Sequence, residues 1–461
     1  MNAPLTRRRL LLAAAAAGTA SLSACAIRPG TTDMPPIVFV PGNGATAGLF
    51  TTTIWRFESN GWPRDRLHAI DMPYPLARDD DAKAQPGRSS TAEHMDYLAA
   101  EVRRVLAATG ARKVALVGNS RGGNAIRNFI AHGGGLGVVS HAVLGGVPNH
   151  GVWSNSAFLA GSEFNATGPF LTRLNAPQGA SGNEVTPGVA WMTIRSDNND
   201  KYAQPDGVWI GARGTPTNVT FDGPALKGAE NVVLTGIDHH ETTFSAKAFA
   251  QAYRFIAGRP PATTAVVADA RVVLDGTVSG LGLDNRQGNF ATNLPLAGAS
   301  VEVYATNAAT GARLGALAHR KSIGADGRWG PFVADAAARY EFVITALGYA
   351  TTHVYRSPFP RSSSVVSLRP ERLADADRDA RSLVTLSRPR GYFGVPRDRI
   401  ALDGTSPPAG IASGVAGMST ARLKVAEAGE RAIVGEFNDE RIVGRTWPVA
   451  DHHVVVLELT Y

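Results

Sequence analysis

The chain has 461 residues, 44% of them apolar, with 50 glycines, one cysteine and a formal charge of +7. That composition excludes a disordered or fibrous chain and fits a globular protein of two or three domains with many turns. Several basic residues fall in the first stretch and the rest are scattered, which argues against nucleic acid as a partner, and a lone cysteine excludes an internal disulfide.

The chain opens on Thr6-Arg-Arg-Arg-Leu10, continues in an alanine-rich apolar run to about Ala20, and reaches Leu22-Ser-Ala-Cys25. A charged start, a short apolar stretch and small residues at a cleavage point make an export signal too short to span a bilayer. The paired arginines resemble a twin-arginine signal, and Leu22–Cys25 resembles a bacterial lipobox. The resemblance implies a signal over 1–25, lipidation of Cys25, a tether over 26–34, and a mature chain anchored to a membrane facing the periplasm or cell exterior. Without lipidation the chain would be periplasmic or secreted.

Ile37–Val40 reads as a short buried strand, followed by the glycine-rich loop Pro41-Gly-Asn-Gly44. Leu67–Met72 is the next strand, and a helix is expected from Thr91, as its N-cap, to Thr109, with Gly110 as the stop. Val114–Val117 then runs straight into Gly118-Asn-Ser-Arg-Gly122, with a helix expected over Asn124–Ile130. A G-x-S-x-G motif between strand and helix holds its serine in a strained turn, clear of the backbone at the top of the sheet. Ser120 is therefore the candidate nucleophile. The N–H groups of Asn43 and Arg121 are the candidate donors to the oxyanion such a nucleophile creates.

Ser140–Leu144 reads as another strand, and residues 152–188 interrupt the alternation with Trp153, Phe158, Leu159, Phe164, Phe170 and Leu171 among polar residues. That segment is either a cap lining an acyl pocket or ordinary packing. A serine nucleophile needs a histidine base and an acid to orient it, in the chain order Ser, acid, His. The loop after the strand Val189–Ile194 offers Asp197 and Asp200, with Asp200 preferred and Asp206 a distant third. The loop after the strand Asn231–Thr235 offers His239 and His240, with His239 preferred, and a helix is expected to run on through Phe255. His150 reads as structural. No spacing fits a metal site, and acyl transfer by such a triad needs no cofactor.

Gly118–Gly122, the loop Gly146-Val-Pro-Asn-His-Gly151, Asp200-Lys-Tyr-Ala-Gln-Pro205 and Asp238-His239 together resemble an α/β-hydrolase-fold lipase or esterase over residues 35–262. The fold expected is a mostly parallel sheet with helices on both faces. The activity the resemblance implies is hydrolysis of a carboxylic ester, lipid or otherwise. Many lipases carry His-Gly at the oxyanion loop, where this chain has Pro41-Gly42.

From about Ala262 short alternating strands replace helical periodicity: 270–274, 300–304, 340–345 and 364–368, with a turn at Asp326-Gly327. This reads as an antiparallel sandwich over 263–370, similar to a transthyretin-like module, then a charged linker over 371–382 and a second β-rich module over 383–461. Some lipases use such a β-domain to engage long-chain substrate; a stabilising spacer is the alternative. Two further readings stand beside the hydrolase: an extracellular polyester depolymerase with the same chemistry, and a non-catalytic surface protein that binds through its β-domains. The oligomeric state is not legible.

Overall fold

Six parallel strands form the sheet that carries the site. The computed structural model describes residues 34–284, 288–427 and 429–461, so the expected signal and Cys25 lie outside the described residues. β1 (Ile37–Val40), β2 (Leu67–Ala69), β3 (Val114–Asn119), β4 (Val139–Gly145), β5 (Ala190–Arg195) and β6 (Glu230–Val233) pair in the order β2-β1-β3-β4-β5-β6. β1 and β3 are buried at every position, as their unbroken apolar runs require of strands covered on both faces. The strand order turns back between β1 and β3, and in such sheets ligands bind beyond the carboxyl ends at that point.

Helices cover both faces. α1 (Thr51–Ser59) and α6 (Ala246–Ala257) lie on one side, where Phe57 packs edge-on against Phe249 at 5.1 Å and beneath Phe39 at 6.0 Å. α2 (Thr91–Thr109) and α3 (Arg121–His132) lie on the other, burying Leu98, Val102, Ile126 and Phe129 against Val38, Val40 and Leu116. The α/β-hydrolase architecture expected from the sequence is present.

The limits of α2 fall where the sequence places them, but its N-cap is Ser90, not Thr91. Ser90 and Glu93 satisfy each other's backbone N–H in a capping box, and Gly110 ends the helix at φ 65°. Thr91 bonds Asp81 instead, at 2.7 Å. The helix expected after the base is two pieces, α5 (Glu241–Phe244) and α6, because Ser245 turns to ψ 157° and caps the second.

The C-terminal half is mostly antiparallel. Its main sheet contains β7 (Ser300–Thr306), β8 (His319–Ser322), β9 (Arg339–Thr345), β10 (Thr351–Arg356), β11 (Ser382–Ser387), β12 (Thr420–Val425) and β13 (His453–Glu458), in the order β8-β7-β9-β10-β13-β11-β12. β13 pairs in parallel with both β10 and β11. One sheet therefore runs across the linker expected at 371–382, and the two expected modules share it. The strand expected at 364–368 is not one; Ser363 and Leu368 make isolated bridges to Leu274 and Val278. Among the described residues no helix is long and apolar enough to cross a membrane.

Candidate active site

Ser120 closes β3 and opens α3 in a single step. Its backbone takes φ 50° and ψ −123°, a region a side chain enters only under strain of about 1–3 kcal/mol. The flanking glycines make that turn possible. A Cβ at Gly122 would lie 2.2 Å from the Val40 carbonyl oxygen, and one at Gly118 would lie 2.8 Å from the Gly123 nitrogen. Helix α3 begins at Arg121, three residues before the sequence expectation, because the turn itself supplies the nucleation.

His239 sits on the loop after β6 and is 2% exposed. Its Nδ1 lies 2.8 Å and 2.9 Å from the two carboxylate oxygens of Asp200, so Asp200 grips the ring from behind. The opposite nitrogen, Nε2, is buried with no hydrogen-bond partner among the described residues, in a ring that borders the same pocket as Ser120. Asn119 ties strand to base loop, its Nδ2 donating to the carbonyls of Gly145 and His239 at 3.3 Å each. Gly146, at φ 59°, passes so close beneath that a Cβ there would lie 2.7 Å from the His239 carbonyl oxygen.

The alternatives left open by the sequence separate cleanly in space. Asp197 accepts from Asn199 and Ser196 and takes the Gly236 N–H at 3.0 Å, pinning the β5 loop to the β6 loop without touching the imidazole. Burial works against its charge, but these hydrogen bonds outweigh it and hold the carboxyl below its ordinary value. Asp206 bonds the Val208 N–H in its own turn. His150 pairs with Glu184 at 3.1 Å.

His240 faces the last β-region. Its Nε2 lies 3.1 Å from the Tyr392 hydroxyl and the two rings meet at a tilt of 40°, with centroids 4.6 Å apart. Burial, and then the neighbouring His239, push its imidazole down to about 3. It is therefore neutral over the range where an unfolded histidine takes up a proton. As pH falls from 6.5 toward 3 the unfolded chain binds a proton that the fold refuses, so stability contributed by neutral His240 is lost across that window. His240→Gln should flatten this loss by on the order of a few kcal/mol. Urea midpoints taken through the window measure it; curves parallel to wild type would show that His240 does not set the slope.

Asn43 borders the pocket, and its side chain is fixed by the Ala77 N–H donating to Oδ1 at 2.7 Å. The Asn43 N–H itself has no partner among the described residues. The N–H of Arg121 is the first of α3 and has no intrahelical acceptor. The Arg121 side chain serves a different end. It is fully buried and bidentate to Glu163 at 2.9 Å and 3.0 Å, stapling the 152–188 segment to α3. Arg127 does the same through Asn175 and the carbonyl of Glu184. Burial lowers its guanidinium to about 10.

The pocket between Ser120 and His239 is about 190 Å³ and is walled by Val152, Trp153, Phe164, Tyr202, Trp209, Ile210 and Tyr392. Of the apolar residues in the 152–188 segment, Val152, Trp153 and Phe164 line this wall, while Phe170 and Leu171 pack with Leu174. Tyr202, Trp209 and Tyr392 were not legible as site residues. Tyr392 lies 152 positions from His240, in a turn with no catalytic motif. A second cavity of about 430 Å³ lies behind the base, bordered by Asp200, His239, Thr193 and Asn149.

Two stretches of the chain match family models. Residues 34–154 match the family model for Lipase (class 2), and residues 270–373 match that for the Lipase C-terminal domain. A non-heme haloperoxidase from Rhodococcus erythropolis is 31% identical over 97 residues, which is 20% of this chain and 35% of that protein. The chain thus spans about a third of the curated relative it matches. Among solved structures, Bacillus licheniformis lipase BlEst2 in its propeptide form aligns over 90% of this chain and 92% of that one, at 15% identity and a TM-score of 0.35. Aspergillus fumigatus lipase B aligns over 50% of this chain and 54% of that one, at 18% identity and a TM-score of 0.33. The expected resemblance to an α/β-hydrolase lipase or esterase with a C-terminal β-domain is borne out; the export signal falls outside the described residues.

Proposed function

We propose that this chain, a class 2 lipase segment joined to a lipase C-terminal domain, is a serine carboxylic-ester hydrolase with Ser120 as nucleophile, His239 as base and Asp200 as the acid that orients it. The observation that carries the reading is the bidentate Asp200–His239 contact on the same side of the sheet as a strained Ser120, the three residues following the carboxyl ends of β5, β6 and β3 of one parallel sheet.

In this reading the Asp200 carboxylate keeps the proton of the imidazole on Nδ1 and leaves Nε2 free to accept one. His239 takes the proton of Ser120 as its oxygen attacks the ester carbonyl. The N–H groups of Asn43 and Arg121 receive the oxyanion. The imidazolium then gives its proton to the departing alcohol, and water repeats the sequence to release the acid. The aromatic wall favours an apolar acyl or alcohol group close to the reacting carbon. The mature chain acts outside the cytoplasm, held to a membrane by lipid on Cys25.

Labelling the full chain with a fluorophosphonate and locating the adduct by mass spectrometry tests the nucleophile without prior choice of ester. The expected adduct is on Ser120, with turnover of nitrophenyl esters across a chain-length series defining the acyl preference. An unlabelled Ser120 in folded protein would remove the hydrolase reading.

A further inference from the structure

The turn that carries the base is itself a capping box. The Asp238 Oδ1 accepts from the N–H groups of His240 at 2.8 Å and Glu241 at 2.9 Å, and Glu241 Oε2 accepts from the Asp238 N–H at 2.6 Å. His239 lies between the two carboxylates, so the geometry of the box sets where the imidazole points. The box is held from outside by a different part of the chain.

Arg388, in the loop after β11, places Nη1 2.6 Å from Asp238 Oδ2 and Nη2 2.7 Å from Glu241 Oε1. One guanidinium therefore spans both capping carboxylates. The fit is built: Nη1 also donates to the Tyr392 carbonyl at 2.7 Å and Nε to the Tyr461 carbonyl at 3.0 Å. The cation lies 4.4 Å from the Phe437 ring centre, and a Cβ at Gly391 would lie 2.2 Å from Nη1. Side-chain exposure is 2% for Arg388 and zero for Asp238. Arg397 adds a second grip, on Glu241 Oε2 at 2.8 Å, and is itself held by Asp398 at 2.7 Å.

The acid loop is held from the same side. Lys201, next to Asp200, donates to the Gly417 carbonyl at 3.1 Å and sits 3.8 Å from the Tyr392 ring centre. The Trp209 ring lies against Gly417, where a Cβ would be 1.8 Å away. Neither Arg388 nor Gly417 falls within the segments the lipase families cover.

We propose that Arg388 is a positioning residue for the His239 base, fixing the capping box of its turn from the C-terminal β-region. The proposal rests on the assignment of His239 as base. Arg388 touches no reacting atom; it acts by keeping the Asp238–Glu241 turn in one arrangement. A lysine at this position keeps a charge but cannot bridge two carboxylates.

Arg388→Lys in the full chain tests this. The expected result is a fall in kcat of about 10²-fold with KM nearly unchanged, together with faster amide exchange of His240 and Glu241 while exchange in α2 and β3 stays as in wild type. Should Arg388→Lys fail to fold, Arg397→Gln gives a milder version, expected to lower kcat by about tenfold with the same exchange signature. Full kcat in a folded Arg388→Lys variant overturns the proposal. So does unchanged exchange at His240 and Glu241, or wild-type behaviour of Arg397→Gln where the first variant does not fold. Exchange is read without turnover, and fluorophosphonate labelling of wild-type Ser120 reports separately on the hydrolase reading, so the two failures are distinguishable.

Discussion

Ser120→Ala is expected to lower kcat on a short nitrophenyl ester by about 10⁶-fold, and His239→Ala by a similar factor, because nucleophile and base act as one unit. Asp200→Asn should cost about 10⁴-fold. The geometry gives the reason for the difference. Both Asp200 oxygens lie within 2.9 Å of His239 Nδ1. An amide there can offer an N–H to that nitrogen, which stabilises the tautomer with its proton on Nε2 and removes the acceptor for the serine proton. Asp197→Asn should leave kcat near wild type, since that carboxylate serves only Ser196, Asn199 and Gly236. Steady-state kinetics on the four variants decides the matter. A large loss in Asp197→Asn alongside a mild one in Asp200→Asn would reverse the assignment of the acid.

A chain ending at Ala262 should not yield a stable enzyme. Trp55 on α1 is fully buried, its indole N–H donates to the Ser362 carbonyl at 2.9 Å, and Phe359 packs edge-on against it. Exposing a side chain of that size gives up roughly 5 kcal/mol. Asn293 donates to the carbonyls of Ala45 and Met72, beside the oxyanion loop. The same truncation removes Arg388 and Arg397, the two cations that hold the Asp238–Glu241 turn. The Trp55 loss alone reaches the lower end of the whole stability of an ordinary domain, about 5–15 kcal/mol. The shortened chain is expected in the insoluble fraction, or soluble without near-ultraviolet dichroism and without Ser120 labelling. A folded, labelled product would show that the β-region is dispensable to the site.

How much of this was legible depends on distance along the chain. The elbow at Ser120, the strand Ile37–Val40 and the helix Thr91–Thr109 are written in adjacent residues: an apolar run, a capping pair, a glycine stop. The order Ser, acid, His was legible because each member ends or follows a strand. Pattern ranks Asp200 above Asp197 without excluding either, since both sit in one loop and only the fold of Ser196–Asp200 decides which faces His239. The helix break at Ser245 was missed because a mid-helix serine and a cap look alike until the backbone turns. The walls and clamps were illegible for a different reason. Arg121 and Arg127 are charged residues of one helix, yet each is buried by a segment dozens of positions later. Tyr392 and Arg388 meet the residues flanking His239 across some 150 positions. No periodicity records such a pairing; it exists only once the β-sheet has brought the two stretches together.

The placement of β13 between β10 and β11 also governs the order of assembly. Until residues 453–458 dock, the large sheet is two separate ribbons, each with an open edge of unpaired N–H and C=O groups. Such edges invite pairing with another chain, and closing them requires contacts between segments far apart in sequence, which slows folding. The parallel sheet with Ser120 is complete by residue 233, so the nucleophile elbow emerges from synthesis well before the strand that closes the β-region. The loop of Arg388, which holds the turn of His239, leaves the end of β11 and so belongs to the ribbon that β13 must close.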